Sequence, residues 1–129
     1  MFEDLLSAAF VVLNWKTLIS ISAGTIVGLM IGAIPGLSAT MGMALLSPFT
    51  FFVEPLVGIP FLIGLFKGGT FGGSVSAILI GTPGTAANAA TLLDGYEMCK
   101  KGRAGEAILG ALHALSLIHI SEPTRPRLI

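Results

Sequence analysis

The stretch TLISISAGTIVGLMIGAI, residues 17–34, decides the fold class of this chain. It carries no charged side chain and comes close to the roughly 20 apolar residues that a bilayer-spanning helix needs. The absence of charge continues to residue 53, and a second uncharged stretch covers residues 68–93. A charge at the centre of a spanning helix costs about 2.5–3.5 kcal/mol, so uncharged stretches of this length are typical of membrane proteins. The pattern predicts an all-α polytopic membrane protein.

Composition narrows the class of protein further. The chain has 129 residues, of which 53% are hydrophobic and 11% charged, whereas a soluble domain carries about 25% charged residues. Seven basic and seven acidic side chains give a net charge of zero, so the chain lacks the basic surplus of a nucleic-acid-binding protein. The hydrophobic content excludes a disordered segment, and the single cysteine, Cys99, excludes a disulfide scaffold.

Glycine and proline divide the apolar sequence into helices of unequal length. The segment after the first span runs only from residue 37 to Pro48, which is about 16 Å of helix or half a bilayer. Such a piece predicts a re-entrant hairpin or a broken helix. The glycine cluster at 68–74 is interpreted as either a close helix contact or an unwound stretch. We predict helices at about 5–13, 17–34, 37–47, 55–67, 72–80, 84–93 and 104–114.

Glycines recur every four residues in the first span, at Gly24, Gly28 and Gly32. This spacing places them on one face of a helix, where the backbone of a second helix can approach closely. Gly72 and Gly73 are assigned the same role in the glycine cluster. We interpret all five as packing residues rather than ligand-binding residues.

Two Pro-Gly pairs, Pro35-Gly36 and Pro83-Gly84, interrupt the apolar sequence in similar ways. Each precedes a short helix and is flanked by hydroxyl or amide side chains, namely Ser38, Thr40, Thr82, Thr85 and Asn88. A helix N-terminus leaves backbone N–H groups unsatisfied and carries partial positive charge, so it attracts carboxylates. Unwound carbonyl oxygens can ligate a small cation such as Na⁺. These nine residues are the candidate substrate and ion site of a secondary transporter, although Pro-Gly is also common in ordinary turns.

The positively charged residues indicate how the chain is placed relative to the membrane. Lys67 stands between an apolar segment and the glycine cluster, where it either reaches the membrane interface or meets a substrate carboxylate in a cavity. Lys100, Lys101 and Arg103 share one short loop, which the positive-inside rule places in the cytoplasm.

Several motifs resemble one transporter family. The segments at 28–51 and 67–107 are similar to the large membrane subunit of tripartite tricarboxylate transporters, the TctA family. The resemblance covers the chain from the first span to about Ala114. Its most specific parts are Pro35-Gly36 leading into LSPFTF at 46–51, then GGS at 72–74, TPG at 82–84 and DGY at 94–96.

The resemblance implies a secondary active importer of carboxylates that is driven by a cation gradient. It implies a bacterial inner-membrane location, with a small membrane subunit and a periplasmic substrate-binding protein as partners. The Pro-Gly segments of such a permease are expected to line the substrate path. A family member is several times longer than this chain, so residues 1–114 are expected to represent its N-terminal part.

The last residues depart from the family. The sequence LSLIHISEPTR, residues 115–125, equals the in-frame translation of a transposase adapter used in sequencing libraries. We therefore expect residues 115–129 to be an artefactual tail without a functional role.

Two other functions remain open. The chain could be a small-residue-rich membrane bundle with a structural or assembly role, or a membrane-embedded enzyme. No Ser/His/Asp or Cys/His combination can be assembled from the sequence, so we expect no catalytic residue, no metal ligand and no cofactor, apart from a coupling Na⁺ or H⁺.

Overall fold

All the secondary structure in the described part of the chain is helical. The computed structural model describes residues 3–4, 7, 10, 13–86 and 88–121, the last four by their backbone alone. The ordered elements are α1 (Trp15–Ala33), α2 (Ala39–Thr50), α3 (Pro55–Ile80), α4 (Asn88–Lys100) and α5 (Ala104–Ser121). The all-α prediction is confirmed for this part. The predicted helix at 5–13 lies mostly outside the described residues.

Two helices, α1 with 19 residues and α3 with 26, are long and apolar enough to cross a bilayer. At 1.5 Å per residue they are about 28 and 39 Å long. The prediction of separate helices at 55–67 and 72–80 is corrected, because α3 continues through the glycine cluster. A helical glycine costs about 1 kcal/mol relative to alanine, whereas each unsatisfied backbone group in an apolar environment costs several. Keeping the helix intact is therefore the cheaper solution for these residues.

The other helix ends also differ from prediction. α2 continues past Pro48 to Thr50, because a proline in the last turn removes only one helical hydrogen bond. The helix then ends in tighter turns, in one of which Phe51 N donates to the Pro48 carbonyl at 3.4 Å. α4 begins at Asn88 rather than at 84, which leaves Gly84 and Thr85 in the connection. α5 extends past 114 to Ser121, because the residues there are apolar and the next proline is at position 123.

α1 and α3 pack side by side and run in the same direction. Gly24 lies against Phe61 and Leu65, while Gly32, two turns later, lies against Gly69. A Cβ atom added to either glycine would come within 3.0 Å of the α3 backbone, so the two helices touch main chain to main chain. α3 contributes glycines to the same contact, at positions 64, 68 and 72. The four-residue repeat thus allows the closest possible approach of the two spans.

The shorter helices are arranged around this pair. α2 returns antiparallel to α3, since its start at Ala39 contacts Gly69 and its end at Thr50 contacts Gly58. α4 runs parallel to the last third of α3, from Asn88 beside Gly73. A short turn at 101–103 then reverses the chain into α5. The two Pro-Gly pairs lie in the connection before α2 and in the connection before α4.

Candidate functional site at the two Pro-Gly breaks

The first break connects α1 to α2. α1 ends at Ile34 in an extended conformation, and Gly36 has a φ of +86°, a left-handed conformation that favours glycine. Leu37 N donates to the Ile34 carbonyl at 3.1 Å and closes the turn. Ser38 then caps α2, with its hydroxyl accepting from Met41 N at 3.2 Å and lying 2.7 Å from the Thr40 hydroxyl. Ser38 and Thr40 thus lie at the start of α2, as the sequence suggests.

We expect Ser38→Ala to destabilise the protein by about 1 kcal/mol, because the side-chain oxygen is the cap of α2. Thermal unfolding of the detergent-solubilised protein, followed by circular dichroism, should show a lower Tm. Ser22→Ala is the matched control, since the Ser22 hydroxyl donates only to the Leu18 carbonyl inside α1. An equal Tm for the two variants would contradict the assigned cap.

The second break connects α3 to α4. α3 ends at Gly81, whose φ is +76° and beside which the ring of Tyr96 packs. The chain then turns back along α3, so that Gly84 reaches the level of Gly73. Asn88 N donates to the Thr85 carbonyl at 3.1 Å and lies 3.4 Å from the Thr85 hydroxyl. Thr85 is therefore at the start of α4, whereas Thr82 is exposed.

The two breaks touch each other. A Cβ added to Gly84 would lie 3.2 Å from the Leu37 carbonyl oxygen, 3.5 Å from the Gly32 carbonyl oxygen and 3.4 Å from Gly73 Cα. The contact lies next to residues 69–74 of α3, roughly 9–16 Å from the C-terminal end of that helix. The N-termini of α2 and α4 consequently approach the same region, within the length of a spanning helix.

Asn88 is the most constrained polar side chain of this region. It is 4% exposed, and its carbonyl oxygen accepts from the hydroxyl of Ser74, itself 4% exposed, at 3.1 Å. Its amide nitrogen, Nδ2, is buried and has no hydrogen-bond partner within the described residues. Nδ2 lies against Gly73, where a larger residue would collide with it. A buried donor left unsatisfied costs about 1–3 kcal/mol, so Nδ2 marks a position where an acceptor is expected.

Together these groups offer donors of the kind that anion-binding sites use. Two helix N-termini contribute partial positive charge, and Asn88 adds a side-chain donor. The carbonyl oxygens of Gly32 and Leu37 lie close to Gly84 and provide acceptors. The structure brings Gly84 next to the backbone of Leu37 and Asn88 next to Gly73, whereas Pro35 and Gly36 remain exposed in their turn.

Sequence reasoning missed Ser74 as a site residue. It was assigned only to the glycine cluster, but it is the hydrogen-bond donor that fixes the orientation of the Asn88 amide. Sequence spacing carries no signal for this role, because the pairing depends on how α4 packs against α3.

Lys67 lies in the middle of α3, whereas the prediction of separate helices at 55–67 and 72–80 placed it at a helix end. It is residue 13 of the 26 in α3, so its Cα lies about 18 Å from one end of the helix and about 20 Å from the other. The side chain of Lys67 is exposed, and neither end of α3 is within its reach. A place at the membrane interface and a place in a substrate cavity both stay predictions.

Comparison with known proteins identifies relatives of this chain. The family described as "Tripartite tricarboxylate transporter TctA family" matches residues 18–118. A protein of Agrobacterium vitis, described as "Uncharacterized 52.8 kDa protein in TAR-I ttuC' 3'region", is 42% identical over 88 residues. The alignment covers 68% of this chain and 18% of that relative, so the chain spans less than a fifth of the relative's length. No solved structure matches.

Proposed function

We propose, since the chain belongs to the tripartite tricarboxylate transporter TctA family, that its two Pro-Gly breaks form part of the carboxylate-binding site of a membrane permease. The membrane subunit of such a transporter must hold an anion within the bilayer and release it on the other side. The two breaks supply the polar groups for this task from backbone and neutral side chains.

The observation that carries the proposal is the buried, unpartnered Nδ2 of Asn88 beside two converging helix starts. A helix N-terminus alone attracts anions only weakly, but the Asn88 amide is held by Ser74 and is already desolvated. An incoming carboxylate oxygen therefore gains a hydrogen bond without the cost of removing water from the donor. Ser38, Thr40 and Thr85 provide further hydroxyl groups at the two helix starts.

The energetics and partners of transport belong to the same proposal. Uptake is driven by a cation gradient, with Na⁺ or H⁺ as the coupling ion, and the carbonyl oxygens near Gly84 are the candidate ligands for Na⁺. A small membrane subunit and a periplasmic substrate-binding protein complete the system in the bacterial inner membrane. The loop from Lys100 to Arg103 then lies on the cytoplasmic side. The chain supplies only a part of this permease, in line with its share of the Agrobacterium vitis relative.

We expect Asn88→Leu to abolish carboxylate uptake while the protein continues to be made and inserted. The substitution removes the donor at Nδ2 but keeps a side chain of similar size, and the Ser74 hydroxyl retains the Thr70 carbonyl at 3.4 Å as an acceptor. The measurement is the initial rate of labelled citrate uptake into cells that carry the full-length permease with this segment, together with its partner subunits. Membrane levels of the permease are quantified by immunoblot.

Asn14→Leu is the matched control, because Asn14 also lies at the start of a helix but its side chain makes no capping hydrogen bond. It should transport at the unsubstituted rate. Unchanged uptake in Asn88→Leu would refute the proposed site and favour a purely structural role for the breaks.

A further inference from the structure

We propose that Ser74 is a positioning residue for carboxylate binding, because it decides which end of the Asn88 amide faces the ligand. The inference rests on the proposed function, since it assumes that a carboxylate binds beside Asn88. Ser74 acts through Asn88 and does not itself contact the ligand.

The two ends of an asparagine amide have opposite preferences. The nitrogen, Nδ2, donates hydrogen bonds and attracts a carboxylate, whereas the oxygen, Oδ1, only accepts hydrogen bonds and repels a carboxylate. The two ends are nearly equal in size, and the terminal torsion of the side chain allows both orientations. Packing around Asn88 therefore does not select the end that a ligand meets, and a hydrogen-bond partner must do so.

Ser74 provides this partner. Its hydroxyl donates to Oδ1 at 3.1 Å, and both side chains are 4% exposed, so water hardly competes for the bond. Because Oδ1 is held in this way, Nδ2 is left as the unpartnered end of the amide. The Thr70 carbonyl, 3.4 Å from the same hydroxyl, is a second acceptor within α3. Ser74 therefore has an acceptor even without Asn88, whereas the orientation of the amide depends on Ser74.

The two glycines before Ser74 complete the arrangement. Gly72 packs on α1, where an added Cβ would lie 2.5 Å from the Leu29 carbonyl oxygen. Gly73 lies against Nδ2, and a side chain there would occupy the space of the amide nitrogen. The GGS motif at 72–74 thus combines a helix contact, room for Nδ2 and a proton for Oδ1.

Ser76 is a natural comparison for Ser74. It lies on the same helix and is 2% exposed, so the two serines are similarly buried. The Ser76 hydroxyl donates to the Gly73 carbonyl at 3.0 Å, and this hydrogen bond stays inside α3. Ser76→Ala is therefore the matched control for removal of a buried hydroxyl.

The test is equilibrium binding of citrate to the purified full-length permease that carries this segment. We expect Ser74→Ala to weaken citrate binding by about 10-fold, because the hydrogen bond that keeps the donor end toward the ligand is lost. Ser76→Ala should bind citrate with the unsubstituted affinity. Alanine has a higher helix propensity than serine, so both variants should insert and fold, which size-exclusion chromatography can check.

A neutral ligand separates positioning from a purely structural role. The triamide of citrate has a similar shape but can donate to Oδ1 as well as accept from Nδ2, so either end of the Asn88 amide suits it. Ser74→Ala should therefore lower the ratio of citrate affinity to triamide affinity by about 10-fold. A serine that only holds α4 in place would affect both ligands equally.

Unchanged citrate binding in Ser74→Ala, or an equal loss for citrate and its triamide, would overturn the inference. A further loss when Ser74→Ala is added to Asn88→Leu would also overturn it, because no amide is left there to orient. Asn88→Leu alone tests the underlying site, and normal citrate binding in that variant refutes the proposed function. Loss of binding in Asn88→Leu together with normal binding in Ser74→Ala refutes only the role of Ser74.

Discussion

Gly28→Leu is expected to prevent the two spanning helices from packing, and this is the largest effect on folding that we predict. A Cβ at residue 28 would lie within 3.0 Å of the Cα and carbonyl atoms of Leu65. These are backbone atoms of a continuous helix, so they cannot move aside as the end of a flexible side chain would. The helices must separate along their whole contact, and the glycines on both sides lose their close packing.

The result can be measured as the fraction of detergent-solubilised protein that elutes as a single folded species and as its Tm. Gly110→Leu is the matched control, because a Cβ at residue 110 of α5 meets no atom within 4 Å. It should keep the elution profile and the Tm of the unsubstituted protein. Comparable loss in both variants would show that the α1–α3 contact does not limit stability.

Gly84→Leu is expected to reduce carboxylate uptake to background while the permease still inserts, which is the largest functional effect that we predict. Gly84 is where the two breaks meet, with the Leu37 carbonyl, the Gly32 carbonyl and the Gly73 backbone each within 3.5 Å of an added Cβ. A leucine side chain needs more room than this contact leaves, so the start of α4 must move away from the start of α2. Binding groups displaced by about 1 Å can lose a hundredfold in effectiveness.

The other Pro-Gly pair provides the comparison. Gly36 has open space around it but a φ of +86°, so its constraint is the backbone conformation rather than packing. Gly36→Asn should therefore retain most uptake, since asparagine tolerates the left-handed region better than other side chains do. Equal uptake by Gly84→Leu and Gly36→Asn, measured as initial rates at matched membrane levels, would argue against a functional contact between the breaks.

The sequence alone was sufficient for the parts of the fold that depend on local patterns. The uncharged run at 17–34 predicts α1 within two residues at its start and one at its end, and the glycine spacing identifies the face that contacts α3. The two Pro-Gly pairs mark where the helices are interrupted. Each of these features follows from helical periodicity, from charge or from the restricted conformations of proline and glycine.

The remaining parts depend on contacts between distant residues. The four glycines at 68–73 are, by local sequence alone, typical of a break in a helix. The helix continues through them, and α1 and α4 pack against them. This continuity places Lys67 at the centre of a span and brings Ser74 to Asn88, fourteen residues away. Neither position can be derived from sequence spacing until the helix is known to be unbroken.

The glycine contact between α1 and α3 also limits how this part of the protein can move. Because each glycine is set against the main chain of the other helix, a small sliding motion would drive bulkier neighbours such as Leu29 and Leu65 into the gap. The next favourable alignment lies a full turn away, about 5 Å along the axis. Gradual shear between these helices is therefore blocked, and the pair is expected to travel as one rigid body. Under the proposed function, any movement that opens or closes the site is expected in the short helices at the breaks or in the rest of the permease.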